Sequence, residues 1–350
     1  MNRRQFLVLT SALASQSAWA RTQPKPSGLP LWRGVNLLEK FNHNQNRPFQ
    51  ERHFRWLNDW GFNFVRLPMS YQCWSKPDPA VWLEMDEKVL REIDQAVEWG
   101  QKYNVHVNLN LHRIPGYCVN PPAEPLNLWK DETAQKAAVH HWQTLARRYK
   151  SLSNNDVSFD LINEPPNIPE EDYAQVVRIL VKGIREISPD RLIIADGIRW
   201  GTGPVHSIAD LNVGQSTRGY NPMQVSHYHA NWVNGSDKYP TPQWPTQLGE
   251  TTWNKDLLRE RYIKPWKELE AKGVGIHVGE WGAYNKTPHE VALRWMEDNL
   301  QLWKEAGWGW AIWNLEGAFG FVNSGRTDVA YEDFEGFKLD RKMLELLRRY

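Results

Sequence analysis

Cysteine is almost missing from this chain of 350 residues, which holds only Cys73 and Cys118. Two cysteines cannot form a disulfide framework, and they lack the spacing of a thiolate metal site. Both follow predicted strands, so they either meet at one rim as a disulfide or remain separate buried thiols. Charge of one sign is missing too. Lys and Arg number 42 against 41 Asp and Glu, a formal net charge of +1. Such a balance gives no reason to expect nucleic acid or an anionic membrane as partner. No long hydrophobic run occurs, and the apolar stretch near the N-terminus is too short for the roughly 20 residues that cross a bilayer. A stable membrane anchor is therefore not expected. No glycine-rich phosphate turn follows the first strand, no repeat is visible, and no cofactor is called for. What is plentiful is tryptophan, with 20 residues. Many fall in predicted loops, where flat aromatic faces stack well on the apolar faces of sugar rings.

The N-terminus reads as a processing segment. Arg3-Arg4-Gln5-Phe6-Leu7 is a twin-arginine pattern, followed by a short apolar run and by Ala18-Trp19-Ala20, which fits an A-x-A cleavage site. Residues 1–20 are expected to be a Tat-type export signal cleaved after Ala20, delivering a folded monomer to the periplasm or beyond. Residues 21–30, interrupted by Pro24, Pro26 and Gly28, read as a linker.

From residue 31 to 350 strand and helix patterns alternate. The expected strands are Arg33–Leu37, Phe64–Pro68, His106–His112, Val157–Asn163, Leu192–Asp196, Gln224–Tyr228, Gly275–Gly279 and Gly309–Asn314. Amphipathic stretches at helical spacing lie between them, several ending in glycine, as at Trp60-Gly61 and Trp99-Gly100. Strict alternation of eight strands with eight helices argues for an α/β fold, a single-domain (β/α)8 TIM barrel. Long loops at 113–130, 231–254 and 317–339 are expected to be functional.

In such a barrel the active site lies at the carboxyl ends of the strands. The polar residues there are Arg66 (second strand), Asn110 and His112 (third), Asn163 and Glu164 (fourth), His227, Tyr228 and His229 (sixth), Glu280 (seventh), and Trp313 and Asn314 (eighth). Buried charge is costly unless paired or used, so this one-sided cluster points to chemistry. Glu39, Glu316 and Asp328 also lie near strand ends and rank lower. Glu164 and Glu280 are the pair that glycosidic cleavage needs, one carboxyl giving a proton while the other attacks or polarises.

On these residues the chain resembles glycoside hydrolase family 5. The pattern of that clan puts Asn-Glu at the end of strand four and a second Glu at the end of strand seven, here Asn163-Glu164 and Glu280. Arg66, His112 and Trp313 fill the family's places on strands two, three and eight. The resemblance implies a retaining double displacement, with Glu280 as nucleophile and Glu164 as acid/base about 5 Å apart. It further implies that Asn163 binds the sugar 2-hydroxyl, that His112 and His227 bind hydroxyls or orient the carboxylates, and that Trp313 floors the subsite. Arg66 beside Glu280 is expected to keep that carboxylate charged. The family also shows His-x-Tyr on strand six, whereas His227-Tyr228-His229 puts a histidine in the tyrosine slot. Either a bulge turns Tyr228 inward or His229 takes over the contact to Glu280.

The implied substrate is a β-linked polysaccharide or oligosaccharide, β-1,4-glucan first, with mannan or β-1,3-glucan as alternatives. Two other classes compete. His112, Glu164, His227 and Glu280 could converge on a divalent ion in a metal-dependent barrel hydrolase, although no His-x-His stands on strand one. A non-catalytic carbohydrate-binding barrel would keep the fold without turnover.

Overall fold

The computed structural model describes residues 28–350. The export signal expected over residues 1–20, and most of the linker, lie outside the described residues.

Eight strands run parallel and close on themselves: β1 (Arg33–Asn36), β2 (Phe64–Ser70), β3 (His106–Ile114), β4 (Val157–Asp160), β5 (Ile193–Asp196), β6 (Gly214–Gly219), β7 (Ile276–Trp281) and β8 (Gly309–Ile312). Each pairs with its neighbour in sequence, and β8 returns to β1 with Gly34 opposite Ala311. The fold is the expected (β/α)8 barrel. All eight strands are nearly continuous in buried residues, as parallel strands covered on both faces must be.

The outer helices form where amphipathic periodicity placed them. Glu87–Tyr103 starts at Asp86, whose side chain accepts from Lys88 N–H, and stops at Asn104 in a left-handed conformation. Glu132–Tyr149 starts at Asp131, which accepts from the amides of Thr133 and Ala134. Glu170–Arg185 and His289–Ala306 start instead at Pro169 and Pro288 with no side-chain cap, and the second stops at Gly307 in a left-handed conformation. The stretch at 255–272 is less regular, with helical turns Lys255–Leu258 and Lys264–Glu270 flanking a π-helical turn at Arg259–Ile263.

Inside the barrel the amino-terminal end is plugged. Trp32 packs with Phe64, Ile194 and Ala311, and its ring stacks on His106 with centroids 4.2 Å apart. This crowding accounts for two glycines. A Cβ at Gly34 would stand 1.8 Å from the Phe64 carbonyl oxygen, and one at Gly309 would stand 2.2 Å from that of Trp32. The opposite end is filled by charged and polar side chains.

The sixth strand is where sequence and structure part. Gln224–Tyr228 is no strand: Met223–Ser226 forms one helical turn, and β6 lies at Gly214–Gly219. Its sequence, Gly-Gln-Ser-Thr-Arg-Gly, has no apolar residue to betray it. The polar side chains are satisfied individually. Gln215 exchanges hydrogen bonds with the backbone of Val205, and Thr217 Oγ1 donates to the Gly201 carbonyl. Gly219 is required because a Cβ there would meet Trp303 at 2.6 Å and Trp281 at 2.9 Å.

Most tryptophans are core. Trp56, Trp82, Trp142, Trp266, Trp281, Trp295 and Trp310 are among the largest fully buried side chains. In the loop at 231–254 Trp244 is buried and donates from Nε1 to Asp298, and Trp253 is half-buried. Among the described residues only Trp200 and Trp232 are exposed tryptophans, at 52% and 55%. The expectation of many aromatic platforms is thereby reduced to two. No disulfide forms, since Cys73 is buried and free and Cys118 is half-buried and free. No described helix is long and apolar enough to cross a membrane.

Candidate active site

The carboxyl end of the barrel is organised by two buried arginines. Arg66, on β2, donates to Asp160 at 2.7 Å (Nε), to Asn36 at 3.1 Å and Glu280 at 2.6 Å (Nη1), and to Asn163 at 2.7 Å (Nη2). Arg218, on β6, donates from Nε to Glu164 at 2.9 Å and from Nη2 to Asn163 at 3.0 Å. Its Nη1 and Nη2 grip the two oxygens of Asp196, and its Nη2 lies 3.3 Å from Glu280 Oε1. Glu164 and Glu280 therefore meet on one guanidinium. Such forked, charge-assisted donors fix carboxylates in direction as well as position.

Local backbone geometry places each glutamate. In β7 the register against β6 shifts, with Val278 opposite Thr217 and Glu280 opposite Arg218. The residue passed over is Gly279, where a Cβ would meet Ser216 Oγ at 2.4 Å and Arg218 Nη1 at 2.9 Å. A bulge of this kind re-aims a side chain at the end of a strand. Glu164 stands beyond the end of β4 with φ +47°, a left-handed conformation unusual for a residue with a side chain. It is held from both sides. Its N–H donates to Asp196 Oδ2 at 2.9 Å, and its carbonyl accepts from Tyr117 Oη at 2.6 Å.

The environments of the two carboxyls differ. Burial, and after it the charge of Glu280, push the Glu164 carboxyl up to about 8, against the opposing pull of Arg218. Glu280 accepts from Arg66 on Oε1 and from Tyr220 Oη on Oε2 at 3.3 Å. Burial, and then the Glu280 charge, raise the Tyr220 phenol well above its usual value, so it remains a donor. Beneath them burial, and then Asp196, push Asp160 up to about 7.

Asn163 is fully buried. Two guanidiniums occupy its Oδ1, and its Nδ2 has no partner. Its orientation is thus fixed with a donor to spare. His112 is bonded through Nε2 to Asn120 at 2.9 Å and stacks beside Trp313 with centroids 5.8 Å apart. Burial, and then Arg66, push its imidazole down to about 3, so it is neutral. Trp313 also meets Phe41 edge-on at 5.4 Å, and the peptide between Trp313 and Asn314 is cis.

The strand-six residues expected at the site fare differently. His227 is buried, lowered to about 4 by burial, and packs against Tyr220 at 5.0 Å and Phe319 at 5.3 Å. Tyr228 points its hydroxyl at Thr241, 3.4 Å away, and His229 is exposed. Neither contacts Glu280. With β6 ending at Gly219, the tyrosine beside the second glutamate is Tyr220. The residue two before it is Arg218, where the family pattern has histidine. Asp160, Asp196, Arg218, Tyr220 and Tyr117 all escaped sequence reasoning. The signal that could have found the strand end was the turn-forming run Gly219-Tyr220-Asn221-Pro222. The lower-ranked Glu39 and Glu316 clamp His53 between them at 3.3 and 2.7 Å. Among the described residues no group of three or more His, Cys, Asp or Glu is arranged to hold a metal ion. Oε1 of Glu164 and Oε1 of Glu280 instead accept from guanidinium donors.

Residues 26–319 match the family model for cellulase, glycosyl hydrolase family 5. The chain belongs to that family. Endoglucanase C of Acetivibrio thermocellus is 29% identical over 333 residues, covering 87% of this chain and 96% of the relative. Cellodextrinase A of Ruminococcus flavefaciens is 25% identical over 283 residues, covering 76% and 80%. A crystal structure of a glycoside hydrolase is 42% identical, with TM-score 0.86, over 91% of this chain and 98% of the other. Thermotoga maritima Cel5A, solved with cellobiose, shares the fold at 22% identity and TM-score 0.74, over 91% and 96%. As a family 5 member the protein is a glycosidase that cleaves O-glycosyl bonds with retention.

Proposed function

We propose that this protein is a retaining endo-β-1,4-glucanase in which Glu280 attacks the anomeric carbon and Glu164 serves as acid and then base. The observation that carries the reading is the meeting of both carboxyls on the Arg218 guanidinium, with Glu164 raised into the range of a proton donor at neutral pH. In the first step Glu280 forms a bond to the anomeric carbon as the leaving oxygen takes the Glu164 proton. In the second, water attacks that carbon, gives its proton to Glu164 and releases Glu280 as carboxylate. Asn163 Nδ2 is the donor for the 2-hydroxyl, a hydrogen bond that strengthens as positive charge develops on the ring. Trp313, with neutral His112 beside it, floors the subsite of the attacked sugar.

The choice of β-1,4-glucan is supported by endoglucanases that match over nearly their whole length. Endo action is supported by Trp232, which stands exposed beside Tyr284, with centroids 4.9 Å apart, as a platform for a chain passing the site. The twin-arginine run at Arg3-Arg4 supports export to the periplasm or beyond. Cell fractionation of an Arg3→Lys/Arg4→Lys variant tests that part.

Product lengths from a panel of cellulose, mannan and β-1,3-glucan test the substrate. A shift from long to intermediate cello-oligosaccharides is expected, and preferential cleavage of mannan would replace the assignment. Glu280→Ala should lose turnover by several orders of magnitude while still folding, with a melting temperature lower by the few degrees that a buried pair broken from one side costs. Azide should then restore cleavage of an activated glycoside with inverted product. Full activity of Glu280→Ala without azide would remove the nucleophile assignment.

A further inference from the structure

The barrel makes deliberate room for Arg218. A Cβ at Gly201 would stand 2.6 Å from Arg218 Cγ, and one at Gly279 would stand 2.9 Å from its Nη1. Gly201, at the end of the helical turn after β5, and Gly279, inside β7, thus line the path of one side chain. Asp196 on β5 takes both ends of its fork, and Ser216 Oγ accepts from Nη1 at 2.9 Å. The side chain is 1% exposed, so it cannot reach a sugar. Everything it can influence is inside the site.

Its contacts are asymmetric in a way that matters only when Glu280 changes charge. Nε bonds Glu164 Oε1 at 2.9 Å, while Nη2 is shared among Asp196, Asn163 and, at 3.3 Å, Glu280. The other titratable groups facing Glu164 are Asp196 on β5, Glu280 on β7, Tyr220 just after β6, and Tyr117 and Cys118 beyond β3. Arg66 and Asp160 lie one layer away, against Asp196.

We propose that Arg218 is a positioning residue that stabilises Glu164 as the base of the second half-reaction, once Glu280 has become a glycosyl ester. The proposal rests on the assignment of Glu164 as acid/base. In the free enzyme the negative charge of Glu280 opposes ionisation of Glu164 and takes a share of the guanidinium, so Glu164 keeps the proton it must donate. Bond formation to the anomeric carbon abolishes that charge. Glu164, which has just passed its proton to the leaving oxygen, then faces an arginine shared only with Asp196 and Asn163, and it stays a carboxylate. Water is deprotonated by Glu164 as it attacks, and the electron pair of the ester bond returns to Glu280. A histidine in this slot would offer a charge that depends on pH, whereas arginine is always charged. The same contact reduces the fraction of Glu164 that holds its proton as pH rises, so the cost falls on the first step at alkaline pH and the gain on the second.

The experiment compares Arg218→Gln, Arg218→Lys and wild type on two aryl β-cellobiosides, one with a good leaving group and one with a poor one. Loss of the cation should move the basic limb of kcat/KM upward by about 1–2 pH units. With the good leaving group the first step needs no acid. The intermediate should accumulate, seen as a burst, with kcat and KM both falling about tenfold or more. Arg218→Lys should return the limb most of the way. An unmoved limb together with no burst overturns the proposal. If Arg218→Gln fails to fold because Asp196 is left unpaired, Arg218→Gln/Asp196→Asn removes the pair together and is read in the same way. Glu164→Ala separates the two levels. If it cleaves both substrates like wild type, the acid/base assignment has failed. If it is impaired on the poor leaving group and spared in the first step on the good one, while the Arg218→Gln limb stays put, only the role of Arg218 has failed.

Discussion

Replacing Arg66 by Ala should damage both stability and catalysis, and the two losses should separate with pH. The substitution removes hydrogen bonds to Asp160, Asn36, Asn163 and Glu280 at once. Breaking a buried ion pair from one side costs about 3–5 kcal/mol, because the partner is left charged in a poor medium. With an unfolding entropy of about 2.1 cal/mol/K per residue over roughly 320 folded residues, that corresponds to a fall of about 4–8 °C in melting temperature. Asp160 limits the damage. Burial and Asp196 already hold its carboxyl near 7, so without Arg66 it takes up a proton rather than stay charged. A carboxyl raised in the folded state favours folding below its unfolded value and loses that contribution as pH rises through the folded one. The deficit of Arg66→Ala relative to wild type should therefore be smallest near about pH 6 and grow toward about pH 9. Catalysis should suffer at every pH, since Glu280 loses a donor on Oε1 and Asn163 loses half its anchor. A fall of about 100- to 1000-fold in kcat/KM is expected from the loss of one preorganised charged donor. Scanning calorimetry across pH, with kinetics on an aryl cellobioside, measures both. A melting temperature within about 1 °C of wild type at both ends of that range would refute the reasoning. Arg66→Lys, which keeps the charge without the fork, should recover the stability better than the activity.

The remaining expectations are simpler. Because Glu164, the proposed proton donor, is raised to about 8, kcat/KM should fall as pH climbs through that value; a basic limb already at about pH 5, near an ordinary carboxyl, would contradict it. Trp232→Ala should raise KM for long cello-oligosaccharides about 5- to 20-fold with kcat kept, the loss expected of one aromatic platform; equal effects on short aryl glycosides would place that ring elsewhere. Reductant should leave the melting curve unchanged because Cys73 and Cys118 are both free. Burial pushes the Cys73 thiol up to about 12, so native protein should resist alkylation there far longer than unfolded protein.

The barrel was legible because its helices carry clear amphipathic spacing and most of its strands are apolar on both faces. Glu164 and Glu280 were legible because each closes an apolar run. Strand β6 was hidden for a physical reason. Its side chains are hydrogen-bonded to a neighbouring segment or fitted around tryptophan, so periodicity has nothing to register, and the next apolar-looking stretch drew the assignment ten residues too far. That slip hid Tyr220 and Arg218 and put Tyr228 and His229 in their place. Asp160 and Asp196 were missed because a single aspartate at the end of a strand looks like any turn residue until its arginine is known. The tryptophan excess misled in another way. Composition counts rings but not their direction, and most of them turn inward.

The left-handed backbone at Glu164 has an evolutionary consequence. A side chain at φ +47° costs about 1 kcal/mol relative to glycine, and a buried carboxyl beside Glu280 adds repulsion. Gly at this position would relieve the backbone, but it would leave Arg218 Nε without its partner and the site without its proposed acid/base. On the proposed acid/base role, selection for turnover keeps a glutamate there. Copies of this gene released from that selection would drift first at position 164 and only later in Asp196 or Tyr117, whose bonds also brace the loops. A silent relative that keeps Tyr117 and Asp196 but holds Gly or Asn at position 164 would be the mark of such a history.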